Sequence, residues 1–79
     1  MSWSKKLKEK TREIFDELPV SAFMRDNRCH MKNENSNYGY ITMQNALQDK
    51  YIVESLDTDG EYVIYDTVDE LIDAGWVVD

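Results

Sequence analysis

The order of elements in the last thirty residues constrains the fold more than any other feature of the sequence. Two segments rich in β-branched and aromatic residues, 51–56 and 61–66, lie on either side of Asp59 and Gly60. An Asp-Gly pair between two such segments is typical of a β-hairpin with a type I′ turn. The sequence therefore predicts an antiparallel pair of strands with a hairpin at Asp59-Gly60.

A short helix and a final strand are expected after this hairpin. Thr67 and Glu70 have the spacing of a capping box, in which the first residue caps a helix and the second closes the cap. Gly75 stands where a glycine commonly terminates a helix. These signals predict a short capped helix over residues 67–74 and a strand from residue 76 onward. The inner face of the helix is formed by Val68, Leu71 and Ile72.

The chain begins with a segment of helical periodicity. Residues 3–18 predict an amphipathic helix, because their apolar residues recur at the spacing of one helix face. Ser2 or Ser4 can cap its start, and Pro19 ends it because the residue before a proline is disfavoured in the helical conformation. The apolar stripe consists of Trp3, Leu7, Ile14 and Leu18, with Phe15 at its edge.

The segment from Pro19 to Ile41 is the least specified part of the sequence. Residues 19–31 are compatible with a short helical turn or an extended segment, residues 33–37 form a polar loop, and Gly39 permits a bend. A brief helix is expected from Thr42, with one face formed by Met43, Ala46 and Leu47.

Together these elements predict one α+β domain over residues 1–79. It contains an N-terminal amphipathic helix, a small, mainly antiparallel sheet of three or four strands, the short capped helix and the final strand. A chain of this length buries only about 60% of the surface that its unfolded form exposes, so its stability should be modest.

Charge is distributed unevenly along the chain, whose net charge is −7. Residues 1–32 contain eight Lys or Arg and five Asp or Glu, a net of +3. Residues 33–79 contain one lysine, Lys50, and eleven Asp or Glu, a net of −10. Because affinity for phosphate backbones depends on Lys and Arg, this balance disfavours direct binding to nucleic acid.

The C-terminal carboxylates have two interpretations. They can be the solvated face of an acidic protein, or a surface that binds a basic partner. Two like-charge pairs in the predicted helix, Asp66 with Glu70 and Asp69 with Asp73, each cost a helix a few tenths of a kcal/mol. The residues predicted to contact a partner are Asp57, Asp59, Glu61, Tyr65, Asp66, Asp69, Glu70 and Asp73.

Aromatic residues lie among these acids and also allow two interpretations. Tyr62, Tyr65 and Trp76 can anchor a protein interface, because aromatic side chains contribute heavily to such interfaces. They can equally pack in the core, since an alternating strand buries one of the pairs Tyr62/Ile64 and Val63/Tyr65.

The basic first helix has its own alternatives. It can dock across its own sheet and neutralise part of the acidic half of the chain. It can instead engage the acidic face of a second copy, so that both a monomer and a homodimer are compatible with the sequence.

The sequence contains no pattern that indicates catalysis or metal binding. Cys29 and His30 are neighbours, so in a strand they point to opposite faces and cannot easily form a thiolate–imidazole pair. Zinc needs three or four ligands, and the chain has one cysteine and one histidine. Residues 55–66 fail as a calcium loop, because Ser55 and Asp66 occupy the positions of an acid and a bidentate Glu.

We therefore expect a non-enzymatic protein without a cofactor or a metal. A sheet of three or four short strands also leaves little room for a pocket of several hundred Å³.

Three features predict a cytoplasmic location. A single cysteine allows no intrachain disulfide. The basic N-terminus is not followed by an apolar run, so it does not have the pattern of a signal peptide. No 18 consecutive apolar residues occur, so no membrane span is expected.

In its length below 80 residues, its acidity, its expected α+β core and its lack of chemical motifs, the chain resembles the small inhibitor proteins that phages make. These include anti-CRISPR proteins and DNA mimics. The resemblance implies a stoichiometric blocker of a nucleic-acid-handling complex, acting in the cytoplasm of the host cell. It implies a partner that is a basic host protein or nucleoprotein complex, and it assigns no role to any single residue.

The predicted function is thus inhibition of a basic, nucleic-acid-handling target by an acidic surface. One alternative is a regulatory or adaptor module that contacts partners through the basic N-terminal helix. Another is a nucleic-acid binder that uses residues 5–12 and 25–32.

Overall fold

The computed structural model describes residues 3–23 and 26–79. In chain order, the elements are helix α1 (Lys5–Glu17), a 3₁₀ turn (Val20–Phe23), strands β1 (Arg28–Asn33) and β2 (Tyr38–Thr42), helix α2 (Met43–Leu47), strands β3 (Tyr51–Ser55) and β4 (Tyr62–Tyr65), helix α3 (Val68–Asp73) and strand β5 (Trp76–Val78).

The five strands form one antiparallel sheet in the order β4-β3-β2-β1-β5. The sheet is curled, because Trp76 at the start of β5 donates a hydrogen bond of 3.2 Å from Nε1 to the hydroxyl of Tyr65 at the end of β4. The two edges of the sheet therefore approach each other where α3 connects them. This architecture confirms the predicted α+β fold, with five strands rather than three or four.

The first two strands form a hairpin that the sequence left open. Arg28 to Lys32 pair with Thr42 to Tyr38, and the polar loop 34–37 connects the strands. Gly39, expected to permit a bend, lies inside β2 opposite Met31. Side chains along β1 alternate between buried and half-buried. The brief helix after Thr42 is confirmed, and the Thr42 hydroxyl caps it by accepting a hydrogen bond from Asn45 N at 3.2 Å.

Helix α1 covers the free edge of β5. Ser4 caps its start, and the helix ends at Glu17 with Leu18 as its C-cap, so it stops before Pro19 as the sequence predicts. Ser2, the other predicted cap, lies outside the described residues. The fully buried Thr11 donates from its hydroxyl to the Leu7 carbonyl at 2.9 Å and accepts from the backbone N–H of Val78 at 3.1 Å. A side chain of α1 therefore occupies the position of a further strand at this edge.

The buried face of α1 differs from the predicted stripe. Thr11 and Phe15 are its buried residues, whereas Leu7, Ile14 and Leu18 are half-buried. The reason is that Thr11 makes hydrogen bonds at the β5 edge, which apolar periodicity does not reveal.

The predicted cap of α3 is confirmed, except that Glu70 bonds one residue earlier than a capping box requires. The Thr67 hydroxyl accepts from Glu70 N at 3.1 Å, and the Glu70 carboxylate accepts from Asp66 N at 3.0 Å rather than from Thr67 N. Gly75 follows the helix with a φ of +99°.

The hairpin between β3 and β4 is confirmed, but its turn is not of type I′. Residues 56–61 separate the strands, and Gly60 has a positive φ of +83° while Asp59 does not, whereas type I′ requires both. Side chains organise this wider loop: the Ser55 hydroxyl accepts from Asp57 N and Thr58 N at 3.1 and 2.9 Å.

The core lies between the concave face of the sheet and the helices. Its buried members are Phe15, Phe23, Cys29, Met31, Ile41, Ala46, Val53, Leu71, Trp76 and Val78.

Candidate partner-binding surface

The predicted contact acids fall into two groups on either side of β4. We call Asp57, Asp59 and Glu61 the hairpin acids; the α3 acids are Asp66, Asp69, Glu70 and Asp73. All seven side chains are exposed. At about 3.3 Å per residue along a strand, the backbones of Glu61 and Asp66 are about 17 Å apart.

Some of these carboxylates make bonds within the fold. Asp57 Oδ2 accepts from the backbone N–H of Tyr38 at 2.8 Å, which holds the hairpin loop against β2. Glu70 belongs to the helix cap already described. Among the described residues, the carboxylates of Asp59, Glu61, Asp66 and Asp73 form neither an ion pair nor a hydrogen bond. These four acids are therefore available to solvent or to a partner.

Helix α1 neutralises little of the acidic half. Arg12 Nε lies 2.7 Å from Asp69 Oδ1, and no other ion pair joins α1 to the two acid groups within residues 3–23 and 26–79. The side chains of Arg12 and Asp69 are 48% and 64% exposed, so this pair stabilises the fold by about 0–1 kcal/mol. The basic helix lies beside α3 but does not cover the hairpin acids.

The segment between the two acid groups is apolar and exposed. Tyr62, Val63 and Ile64 are 62%, 49% and 60% exposed. The sequence suggested that one alternating set of these residues is buried, yet only Tyr65 packs against the core. The difference arises because β4 is an edge strand that pairs with β3 alone. A run of four apolar residues without polar alternation was the available signal for this surface.

The other two aromatic residues are turned toward the interior. Tyr65 is half-buried and its hydroxyl accepts from Trp76. Trp76 is 8% exposed and belongs to the core. A cavity of about 380 Å³ lies beside β4 and is bordered by Val53, Tyr62, Val63 and Trp76. Of the aromatic residues in this part of the chain, Tyr62 is therefore the one most accessible to a partner.

One hydrogen bond at the start of β4 determines which of its residues bond to β3 and which face the free edge. Ser55 N donates to Glu61 O at 2.9 Å, in the same register that pairs Glu54 with Tyr62. In an antiparallel ladder, alternate residues form the bonded pairs. Val63 and Tyr65 therefore bond to β3, whereas the N–H and C=O groups of Tyr62 and Ile64 point to the free edge.

Cys29 and His30 lie on opposite faces of β1, as their adjacency predicts. Cys29 is buried in the core and His30 is half-buried on the outer face, with Nε2 3.5 Å from Asp26 Oδ1. Burial raises the pKa of the Cys29 thiol to about 11. The thiol is thus protonated at neutral pH, which makes it a poor nucleophile.

The raised pKa of Cys29 predicts a loss of stability at high pH. The folded-state pKa exceeds the ordinary value of 9.0, so this stabilisation is complete below pH 9.0 and is lost as the pH rises through about 11. The shift corresponds to about 3 kcal/mol. Urea unfolding of the reduced protein should show wild type losing about 2–3 kcal/mol more than Cys29→Ala between about pH 8.5 and 11.5.

The titration of Tyr51 does not affect the comparison of wild type with Cys29→Ala. Its pKa is also raised, first by burial and then by the charges of Asp49 and Asp16. This contribution is present in both proteins and cancels in the difference. Parallel stability profiles for wild type and Cys29→Ala would contradict the prediction.

The molecule has more concave surface than the sequence suggested. A groove of about 760 Å³ lies between the C-terminal half of α1, the 3₁₀ turn and β1, and Cys29 and His30 are among its lining residues. The expectation of too little room for a pocket is therefore wrong, because it counted only three or four strands and left the structure of residues 19–31 open. Among the described residues, no group of three or more His, Cys, Asp or Glu is placed to hold a metal ion.

Similarity to known proteins gives no further indication of function. No protein-family model matches the chain, and neither the curated proteins nor the solved structures contain a match. In the part of the chain that the structure describes, no helix has the length and apolar character needed to cross a bilayer.

Proposed function

We propose that this chain is a non-enzymatic inhibitor that binds a basic, nucleic-acid-handling protein through the hairpin acids, β4 and the α3 acids. The observation that carries this proposal is the exposed apolar strand between two exposed groups of carboxylates. Carboxylates on both sides steer a cationic surface toward the strand, and Tyr62 and Ile64 supply the apolar contact. A complex of this kind forms in the cytoplasm and blocks its target by occupying the surface that holds phosphates.

The cations of β1 favour this assignment over the nucleic-acid binder that uses residues 25–32. Arg28 stacks on the ring of Tyr40 at 4.2 Å from its centroid. Lys32 lies 5.1 Å from the ring centroid of Trp3 and 4.0 Å from Asp79 Oδ1. These cations are occupied by contacts within the fold, so the surface is less suited to binding phosphates. Arg25, the first cation of the predicted segment 25–32, lies outside the described residues.

The first experiment is capture of partners from a bacterial lysate with charge-reversed variants. Asp59→Lys/Glu61→Lys reverses two acids that form no ion pair with described residues. Asp73→Lys places a cation near the end of α3, where the helix dipole favours it. We expect each variant to capture at least about tenfold less of the partner than wild type, since losing rim charges slows encounter and weakens the complex.

The matched control is Lys5→Glu/Lys6→Glu, which changes as much charge on α1 as the Asp59/Glu61 double variant does on the hairpin, at an end where acids are favourable. This variant should capture the partner as well as wild type. Capture should also fall in about 1 M salt, where the Debye length is about 3 Å. Loss of capture in the α1 variant, with full capture by the acid variants, would instead favour the adaptor function of the basic helix.

The second experiment asks whether the captured protein handles nucleic acid. We expect it to bind DNA or RNA and to lose that activity when one equivalent of this chain is added. The chain alone should bind neither DNA nor heparin, because its net charge of −7 repels phosphates. A captured protein whose nucleic-acid binding is unchanged would contradict inhibition.

A further inference from the structure

The open edge of β4 has a more specific use than general charge complementarity. We propose that it accepts an extended segment of the partner as a sixth strand, with apolar residues beside β4 and Lys or Arg at both ends. This inference rests on the proposed function, because it names the contact through which the basic partner is held. Strand addition of this kind takes its affinity from backbone hydrogen bonds and its specificity from side-chain contacts.

The two edges of the sheet differ in how they are closed. At β5, Thr11 of α1 accepts the hydrogen bond of Val78 N, and the edge is buried. At β4, the N–H and C=O groups of Tyr62 and Ile64 point outward, and both side chains are exposed. Proteins usually protect their edge strands, because an exposed apolar edge pairs readily with other chains. One edge of this fold is therefore protected and the other is left open.

Side chains on both faces of β4 define what the added strand can present. Tyr62 and Ile64 lie on the outer face of the sheet, and Val63 lies on the opposite face beside the cavity bordered by Trp76. An incoming strand thus meets apolar surface on either side. One end of the incoming strand lies near Glu61 and Asp59, and the other end lies near Asp66. These acids favour Lys or Arg at both ends of the incoming strand.

A second copy of this chain fits the same edge poorly. The outward groups of Tyr62 and Ile64 allow an antiparallel pair with Val63 opposite Val63 of the second copy. In that pair, Glu61 of each copy lies within one residue of Asp66 of the other copy, at both ends. Like charges facing each other across strands are destabilising. The charges therefore disfavour self-association and favour a cationic segment.

The test uses a fluorescent peptide of eight residues, with Thr-Val-Thr-Val between two lysines at each end. We expect saturable binding that weakens with salt, and no binding of the same peptide with glutamates in place of the lysines. Ile64→Pro removes one outward N–H without breaking a bond to β3, since Ile64 and Ile52 form a non-bonded pair. It should weaken binding at least about tenfold.

Ile64→Thr is the matched control, because it shortens the side chain but keeps the backbone N–H. It should bind within about threefold of wild type, since only part of one apolar contact is lost. Circular dichroism and urea unfolding must show that Ile64→Pro is folded. If Ile64→Pro does not fold, wild type is tested instead with a peptide that carries N-methyl groups on alternate amides. This peptide should bind at least about tenfold more weakly than the unmethylated peptide.

The outcomes separate this inference from the proposed function. Equal binding to wild type and folded Ile64→Pro, equal binding of the N-methylated peptide, or a dimer in sedimentation would overturn strand addition. Capture of the partner that still depends on Asp59 and Glu61 would then leave the proposed function standing. If binding depends neither on the backbone of β4 nor on Asp59 and Glu61, both strand addition and the proposed function are contradicted.

Discussion

Gly39→Ala should lower the free energy of unfolding by about 2–3 kcal/mol, and Gly39→Val should prevent folding. A Cβ at this position would lie 2.7 Å from Val53 Cγ1, 2.8 Å from the backbone oxygen of Glu54 and 3.2 Å from Trp76 Cη2. None of these neighbours moves freely, because the Glu54 oxygen belongs to the β3 backbone and Val53 and Trp76 belong to the core. The overlap outweighs the gain of about 0.5–1 kcal/mol that alanine has over glycine in a strand.

Gly60→Ala is the control for this prediction. No atom lies within 4 Å of a Cβ at Gly60, but its φ is +83°. Its cost should be that of the left-handed conformation alone, about 1–2 kcal/mol. Urea unfolding measures both variants. Gly39→Ala as stable as wild type would show that β2 and Trp76 are not packed as described.

Trp76→Ala should cost about 3–5 kcal/mol, because it leaves a large cavity in the core. Trp76 is 8% exposed, packs over Gly39 and hydrogen-bonds Tyr65 on the opposite edge strand. It therefore stabilises both the core and the curl of the sheet. For a domain of this size, whose total stability is about 4–12 kcal/mol, this loss removes at least about a quarter of the stability.

Two milder variants separate the packing of Trp76 from its hydrogen bond. Tyr65→Phe removes only the acceptor and should cost about 1 kcal/mol. Trp76→Phe keeps part of the apolar contact and should fall between Tyr65→Phe and Trp76→Ala. Chemical unfolding ranks all three, and a Tyr65→Phe variant as unstable as Trp76→Ala would contradict this division.

The C-terminal half of the fold could be predicted because its signals are local. The Thr67 and Glu70 cap, the glycine after α3 and the apolar segments around Asp59-Gly60 depend on residues close in sequence. The type of the hairpin turn could not be predicted, because it depends on the Ser55 hydroxyl and on a bond from Tyr38 N to Asp57.

The sequence left β1 open between a helical turn and an extended segment, because its alternation involves weak strand formers. Cys29, Met31 and Asn33 are the buried set, and a strand of this composition is stable mainly because β2 and β5 lie on both sides of it. Thr11 was missed for a similar reason, since its hydrogen-bond partner, Val78, is distant in sequence.

The candidate site was predictable in composition but not in arrangement. The sequence identified the acids, and it paired them with Tyr65. Which strand lies at the edge of the sheet depends on the order β4-β3-β2-β1-β5, which no local pattern specifies. That order exposes Tyr62, Val63 and Ile64 between the two acid groups and turns Tyr65 toward Trp76.

The most direct test of the acidic surface is an amide chemical-shift titration of the isotope-labelled protein, whose mass is 9.3 kDa, with the captured partner. We expect the largest shifts, or the strongest line broadening, at residues 59–66 and at Asp73, with small effects in residues 5–10. Shifts confined to the first half of α1 and to β1, with residues 59–66 unchanged, would contradict a partner-binding role for the acidic half of the chain.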